Sequence, residues 1–198
     1  HRPCCARMMV GEDVFREVES DCWDPAVRIA DCDRTQVAVQ VLSTVPIMFS
    51  YWAPPEQGEY VARLLNDHLA GVVSVYPNRF VGLGTLPMQD PDRAIRELER
   101  CVGDLGFPGV QIGSNVNGKD LDSPEVVAVL EAAEALSASI FVHPWEMLGR
   151  ERHQTYWLPW LVGMPAETTT AIARLMLGGV LERLPRLRIA FAHGGGTM

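Results

Sequence analysis

Residues 109–143 read GVQIGSNVNGKDLDSPEVVAVLEAAEALSASIFVH, and this stretch decides the fold class. Gly109–Gly113 is a short apolar run with little alternation, and Ser139–His143 is another. Such runs suit strands buried on both faces, as in a parallel sheet. Between them, Ser123-Pro124 pairs an N-cap residue with a proline at the first helical position. There the missing N–H costs nothing and φ is already set. Residues 125–136 then carry helical spacing. Strand, helix, strand is the repeating unit of an α/β fold with parallel strands and right-handed crossovers.

The same alternation extends to both sides. Upstream, residues 37–42 and 80–85 are apolar runs rich in β-branched residues, and downstream residues 187–193 form another. Asp24-Pro25 and Asp90-Pro91 repeat the helix-start signal. After Asp90, the spacing of Ala94, Ile95, Leu98 and Val102 gives one apolar face, which Gly106 closes. Residues 59–75 and 166–184 are also helical by spacing, the second interrupted by Gly178-Gly179. An open doubly wound sheet would show a glycine-rich phosphate turn after its first strand, and none is present. The expected fold is therefore a (β/α)8 TIM barrel. Residues 1–198 are expected to form a single barrel domain, and the first ten residues match no element.

Composition narrows the function. The chain has 198 residues, 47% hydrophobic and 21% charged, with a formal net charge of −8. No Lys or Arg run could track a phosphate backbone, so nucleic acid is not an expected partner. No apolar run approaches the roughly 18 residues of a membrane span. Five cysteines lie scattered without a C-x-x-C pair, which fits a reduced, cytosolic setting.

In barrels, reacting groups sit where strands end and their following loops begin. Three strands end in polar or unusual residues: Ser43-Thr44, His143-Pro144-Trp145 and His193-Gly194-Gly195-Gly196. A histidine that caps an apolar strand faces the mouth, where a neutral imidazole can bind a metal or move a proton. One such histidine is as readily a core residue bonded to a backbone carbonyl; two, one helical unit apart, point to chemistry. His68 and His153 read as solvated or locally bonded, as does His1. Arg16 alone reads as a surface arginine, and Trp157 and Trp160 as packing residues.

Several stretches carry a resemblance: CWDPAVR at 22–28, LSTVPIMFSYW at 42–52, FVGLGTLPMQ at 80–89 and GFPGVQIG at 106–113. To these add FVHPW at 141–145, YWLPWLVGMPAET at 156–168 and FAHGGG at 191–196. Together they resemble the 2-amino-3-carboxymuconate-6-semialdehyde decarboxylase family, within the amidohydrolase superfamily of metal-dependent barrels. The 42–52 and 156–168 stretches are the specific ones.

The resemblance implies a Zn2+ enzyme of tryptophan breakdown in the kynurenine branch. It removes CO2 from a doubly carboxylated semialdehyde and so limits quinolinate and NAD synthesis. It implies His143 as a metal ligand, His193 as acid/base and Arg16 as the grip on a substrate carboxylate. It implies that Trp160 lines the pocket, with Trp145 and Met147 beside it by position as further substrate-binding candidates, and that the parent is a homodimer. The family pattern also has a His-x-His on its first strand, an Asp on its last and a second gripping Arg. None of these is found here. The expectation is thus a chain truncated at both ends, holding about strands 2 to 6, inactive and poorly stable alone. Two other readings stay open: another decarboxylase or hydrolase of the superfamily, and a non-catalytic isoform that binds the full-length enzyme.

Overall fold

The computed structural model describes residues 4–197, which pack as two compact units. The first comprises residues up to 41 together with 72–81, and the second comprises 42–71 and 82 onward.

The first unit opens with an antiparallel hairpin of β1 (Cys5–Val10) and β2 (Asp13–Glu19). Its turn contains Gly11 at φ +61°, a left-handed backbone that glycine adopts without penalty. The sequence reading placed no element in the first ten residues. Polar and apolar residues do not alternate cleanly there, so the hairpin carries little period-2 signal. The helix α1 (Pro25–Arg34) begins as expected, with the Asp24 carboxylate accepting from the N–H groups of Ala26 and Val27. The predicted strand 37–42 is shorter than read: β3 is Gln40–Leu42, paired with β4 (Phe80–Gly82). Between the two strands in sequence runs the helix α2 (Pro55–Val75).

The second unit holds the parallel sheet. Its strands are β5 (Gly84–Thr85), β6 (Gly109–Gly113), β9 (Ser139–His143) and β10 (Arg188–Phe191). They lie side by side in that order, all parallel. Parallel neighbours need a crossover, and each interval contains a helix. These are α3 (Pro91–Gly103), α4 (Pro124–Ala135) and the pair α5 (Met164–Leu177) and α6 (Val180–Arg183). The helix read at 166–184 is therefore two helices. They break at Gly178-Gly179, where Gly179 takes φ +67°. A small hairpin of β7 (Asn115–Val116) and β8 (Lys119–Asp120) follows β6. The α/β reading with parallel strands holds.

The core lies between this sheet and its helices. Val110, Ile112, Ile140 and Val142 of the sheet pack with Ala94, Leu98 and Cys101 of α3 and with Val126, Val129 and Leu130 of α4. Two caps behave differently. Asp90 accepts from the Arg93 N–H, as its position predicts. Ser123 makes no such bond, and its hydroxyl is buried without a partner. The α4 start thus rests on Pro124 and on burial. At the edge of the sheet, the buried Asn66 amide takes the place of a further strand. It donates to the Thr85 carbonyl at 2.9 Å and accepts from the Thr85 N–H at 2.8 Å. Gln111 of β6 similarly ties down the Ser43-Thr44 corner, bonding the Ser43 hydroxyl at 2.5 Å and the Thr44 carbonyl at 2.9 Å.

Candidate active site

His143 is the last residue of β9, in register with Gly113 of β6. Strand β10 stops at Phe191, so His193 lies two residues beyond the strand, in a tight turn over His193–Gly195. Its φ of +56° is left-handed, an uncommon conformation for a side-chain-bearing residue that recurs at functional sites. β9 and β10 are adjacent and parallel, and this brings the two imidazoles together. Their Nε2 atoms are 3.0 Å apart and the rings meet edge to face at 4.9 Å.

The tautomers follow from the partners. His143 Nδ1 lies 2.9 Å from the Pro144 carbonyl, which can only accept. Nδ1 therefore carries the proton, and Nε2 presents a lone pair to the Nε2–H of His193. Burial pushes the His143 pKa below 6.5 and the neighbouring His193 adds to that, while the bond to Pro144 opposes it. A half-buried neutral imidazole with its lone pair outward is the form a metal ligand requires, and the carbonyl on its other nitrogen fixes ring orientation. Among the described residues, no cluster of three or more His, Cys, Asp or Glu residues adds further ligands.

The chain that follows His143 is pinned. The Trp145 N–H donates to Ser114 Oγ at 2.9 Å, and its carbonyl accepts from Asn115 Nδ2 at 2.6 Å. The Trp145 ring packs edge-on against Phe49 and Tyr51, with centroids at 5.7 and 6.5 Å. Trp145 is thus anchored to the core rather than free-standing. Met147 lies against Gly163, where an added Cβ would stand 3.3 Å from the Met147 Cβ. Gly163 ends a π-helical turn over Pro159–Gly163, which carries Trp160. Trp160 is half exposed and its ring contacts Trp157 at 4.9 Å. Trp157 is itself 66% exposed, so core packing does not describe it.

The family model described as Amidohydrolase matches residues 6–198. The chain belongs to the amidohydrolase family. It is similar to the 2-amino-3-carboxymuconate-6-semialdehyde decarboxylase of Dictyostelium discoideum, at 56% identity over 197 residues, a match that covers 100% of this chain and 55% of that protein. The amidohydrolase chain therefore spans about half the length of the curated relatives it matches. Among solved structures it resembles 5-carboxyvanillate decarboxylase from Sphingomonas paucimobilis, with a TM-score of 0.82 and 33% identity. That match covers 87% of this chain and 52% of the other. It also resembles a dihydroxybenzoic acid decarboxylase from Polaromonas with bound manganese, with a TM-score of 0.76 and 30% identity, over 86% of this chain and 54% of that one. The resemblance read from the motifs is borne out.

Within this amidohydrolase chain, the second unit contains His143, His193, Trp145, Met147 and Trp160. Arg16 belongs to the first unit, exposed on β2 in register with Met8. His153 is locally bonded, its Nδ1 3.1 Å from the Leu148 carbonyl, and His68 is exposed on α2. His1 lies outside the described residues. Sequence reasoning missed Ser114, Asn115 and Glu167, polar residues buried beside the His143 loop. The one available signal was Ser114-Asn115 directly after an apolar strand, the position where the other candidate residues were sought.

Proposed function

We propose that this chain carries part of the active site of a metal-dependent decarboxylase, a carbon–carbon lyase, acting on 2-amino-3-carboxymuconate 6-semialdehyde. One observation carries the reading: two imidazoles meet at 3.0 Å, one ending a strand and one just past the end of its parallel neighbour, in a chain whose relatives are named decarboxylases. The parallel sheet then belongs to a (β/α)8 barrel, with the histidines at its mouth.

Zn2+ is the ion the sequence resemblance favours; once bound, such an ion supplies a positive centre that polarises water and carboxylate oxygens. His143 would hold it. His193, beside it, is the acid/base: its exposed imidazole takes a proton from water and returns one to carbon. The net change replaces a carboxylate by hydrogen. The C–C bond to the carboxylate breaks, CO2 departs, and the proton arrives at the carbon left behind. Trp160, Trp145 and Met147 border the substrate. For Arg16 the support is the resemblance together with its fork of donors, which matches a carboxylate bidentately. The cytosolic setting, the homodimer and the place in the kynurenine branch rest on the same resemblance.

The test is made on the full-length protein that contains this chain. Purified with its metal, it should bleach the semialdehyde's absorbance with release of CO2, and His143→Ala should lose both metal and activity. Dihydroxybenzoate and carboxyvanillate are assayed beside it. Turnover of either of these with none of the semialdehyde would replace the proposed substrate, and a metal-loaded protein inert on all three would sink the reading.

A further inference from the structure

The first two turns of α5 touch both histidine-bearing loops. Glu167 is 5% exposed and forms no ion pair among the described residues. Its Oε1 accepts from Ser114 Oγ at 2.7 Å and from Asn115 Nδ2 at 3.0 Å. Those two residues in turn hold the Trp145 backbone at both its N–H and its carbonyl. The Ser114 N–H also donates to the His143 carbonyl at 2.9 Å. One carboxylate thus ties the end of β6 to the end of β9.

Two residues further on, Thr169 does the same for the other loop. Its hydroxyl donates to the Pro165 carbonyl at 2.8 Å, leaving its lone pairs free to accept. They take the Thr197 N–H at 2.9 Å and the Thr197 hydroxyl at 2.8 Å. Gly196 makes the approach feasible: a Cβ there would stand 2.6 Å from both the Pro165 carbonyl oxygen and Thr169 Oγ1.

We propose that Glu167 and Thr169 are positioning residues, and that the first two turns of α5 set the separation of His143 and His193 by clamping one loop with each. This rests on the reading of the histidine pair as the reacting centre. A buried carboxylate facing only neutral donors is costly to keep unless its bonds are made. It therefore holds its partners in one arrangement, and packing one helix against both loops converts that into a fixed distance between two rings.

The test needs neither metal nor substrate. In the protein stripped by chelator and labelled with 15N at histidine, the Nε2–H···Nε2 bond shows as a nitrogen–nitrogen coupling across the hydrogen bond. Wild type, Thr169→Ser and Glu167→Gln should keep the coupling, since each conservative variant retains the required oxygen. Thr169→Val and Glu167→Ala should lose it, with the backbone amide shifts of α3 unchanged. If Glu167→Ala does not fold, the nearly isosteric Thr169→Val decides. Coupling that persists in a folded Thr169→Val overturns the clamp on His193, and persistence in both variants overturns the proposal entirely. Absence of coupling in wild type overturns the pair itself. Failure of the decarboxylase assay with the coupling intact removes the proposed reaction and leaves the clamp standing.

Discussion

His143 owes its chemistry to a carbonyl one residue away and an imidazole fifty positions away. The first choice sets the proton on Nδ1, and the second gives Nε2 its partner. Its pKa is held below 6.5, chiefly by burial. A group with a depressed folded pKa contributes stability above its unfolded value and loses it as pH falls through the folded one. Below pH 6.5 the unfolded chain gains a proton first, so the metal-free protein should weaken there. An imidazole NMR titration of the chelated protein should place the His143 midpoint below 6.5, and a midpoint above it would contradict the burial described. Strand-end position made His143 and His193 readable as candidates. Their mutual contact was not readable, because it needs two strand ends fifty residues apart to lie side by side and a left-handed backbone at His193 that no local signal marks.

At the scale of elements, helix starts were more legible than helix continuity. A proline at the first helical position is a local signal, and every helix read from one begins there. The break at Gly178-Gly179 was visible only as an irregularity. Strand ends were overextended at 37–42 and 187–193, because apolar residues beyond the ladder serve loops as well as strands. The sheet edge shows what composition hides. Asn66 lies inside a helix by every local measure, yet its amide completes the pairing of Thr85. Replacing it with Leu leaves a buried N–H and carbonyl without partners, which should cost about 2–3 kcal/mol. Urea unfolding of Asn66→Leu should show that loss, and a change under about 0.5 kcal/mol, the range of ordinary surface substitutions, would mean the edge is satisfied otherwise.

At the scale of the whole molecule, apolar burial is unevenly shared. Among the described residues, nearly all of the buried hydrophobic ones lie in the second unit, whereas Cys32 and Phe80 are those of the first. Regions with few buried apolar contacts open at lower free energy. Each unit also contains one buried thiol, Cys32 and Cys101 respectively. Burial, reinforced by Glu97, pushes the Cys101 pKa up to about 12, so at neutral pH it is an unreactive thiol. Alkylation should mark the exposed Cys4 and Cys22 at once. With rising urea Cys32 should become labelled before Cys101. Simultaneous labelling of both would show that the units unfold as one.

Composition, the apolar runs and the proline-marked helix starts were enough to establish an α/β chain with parallel strands. The motifs were enough to place it among amidohydrolases, because local signals and short-range periodicity need no partner to be read. Tertiary structure alone decided the tautomer of His143, the left-handed backbone of His193 and the 3.0 Å between their rings. It also decided that Glu167 and Thr169, two unremarked polar residues on a helix, hold the loops that carry them. Those properties depend on groups dozens of residues apart in the chain meeting in a buried setting, where each polar atom must find a partner.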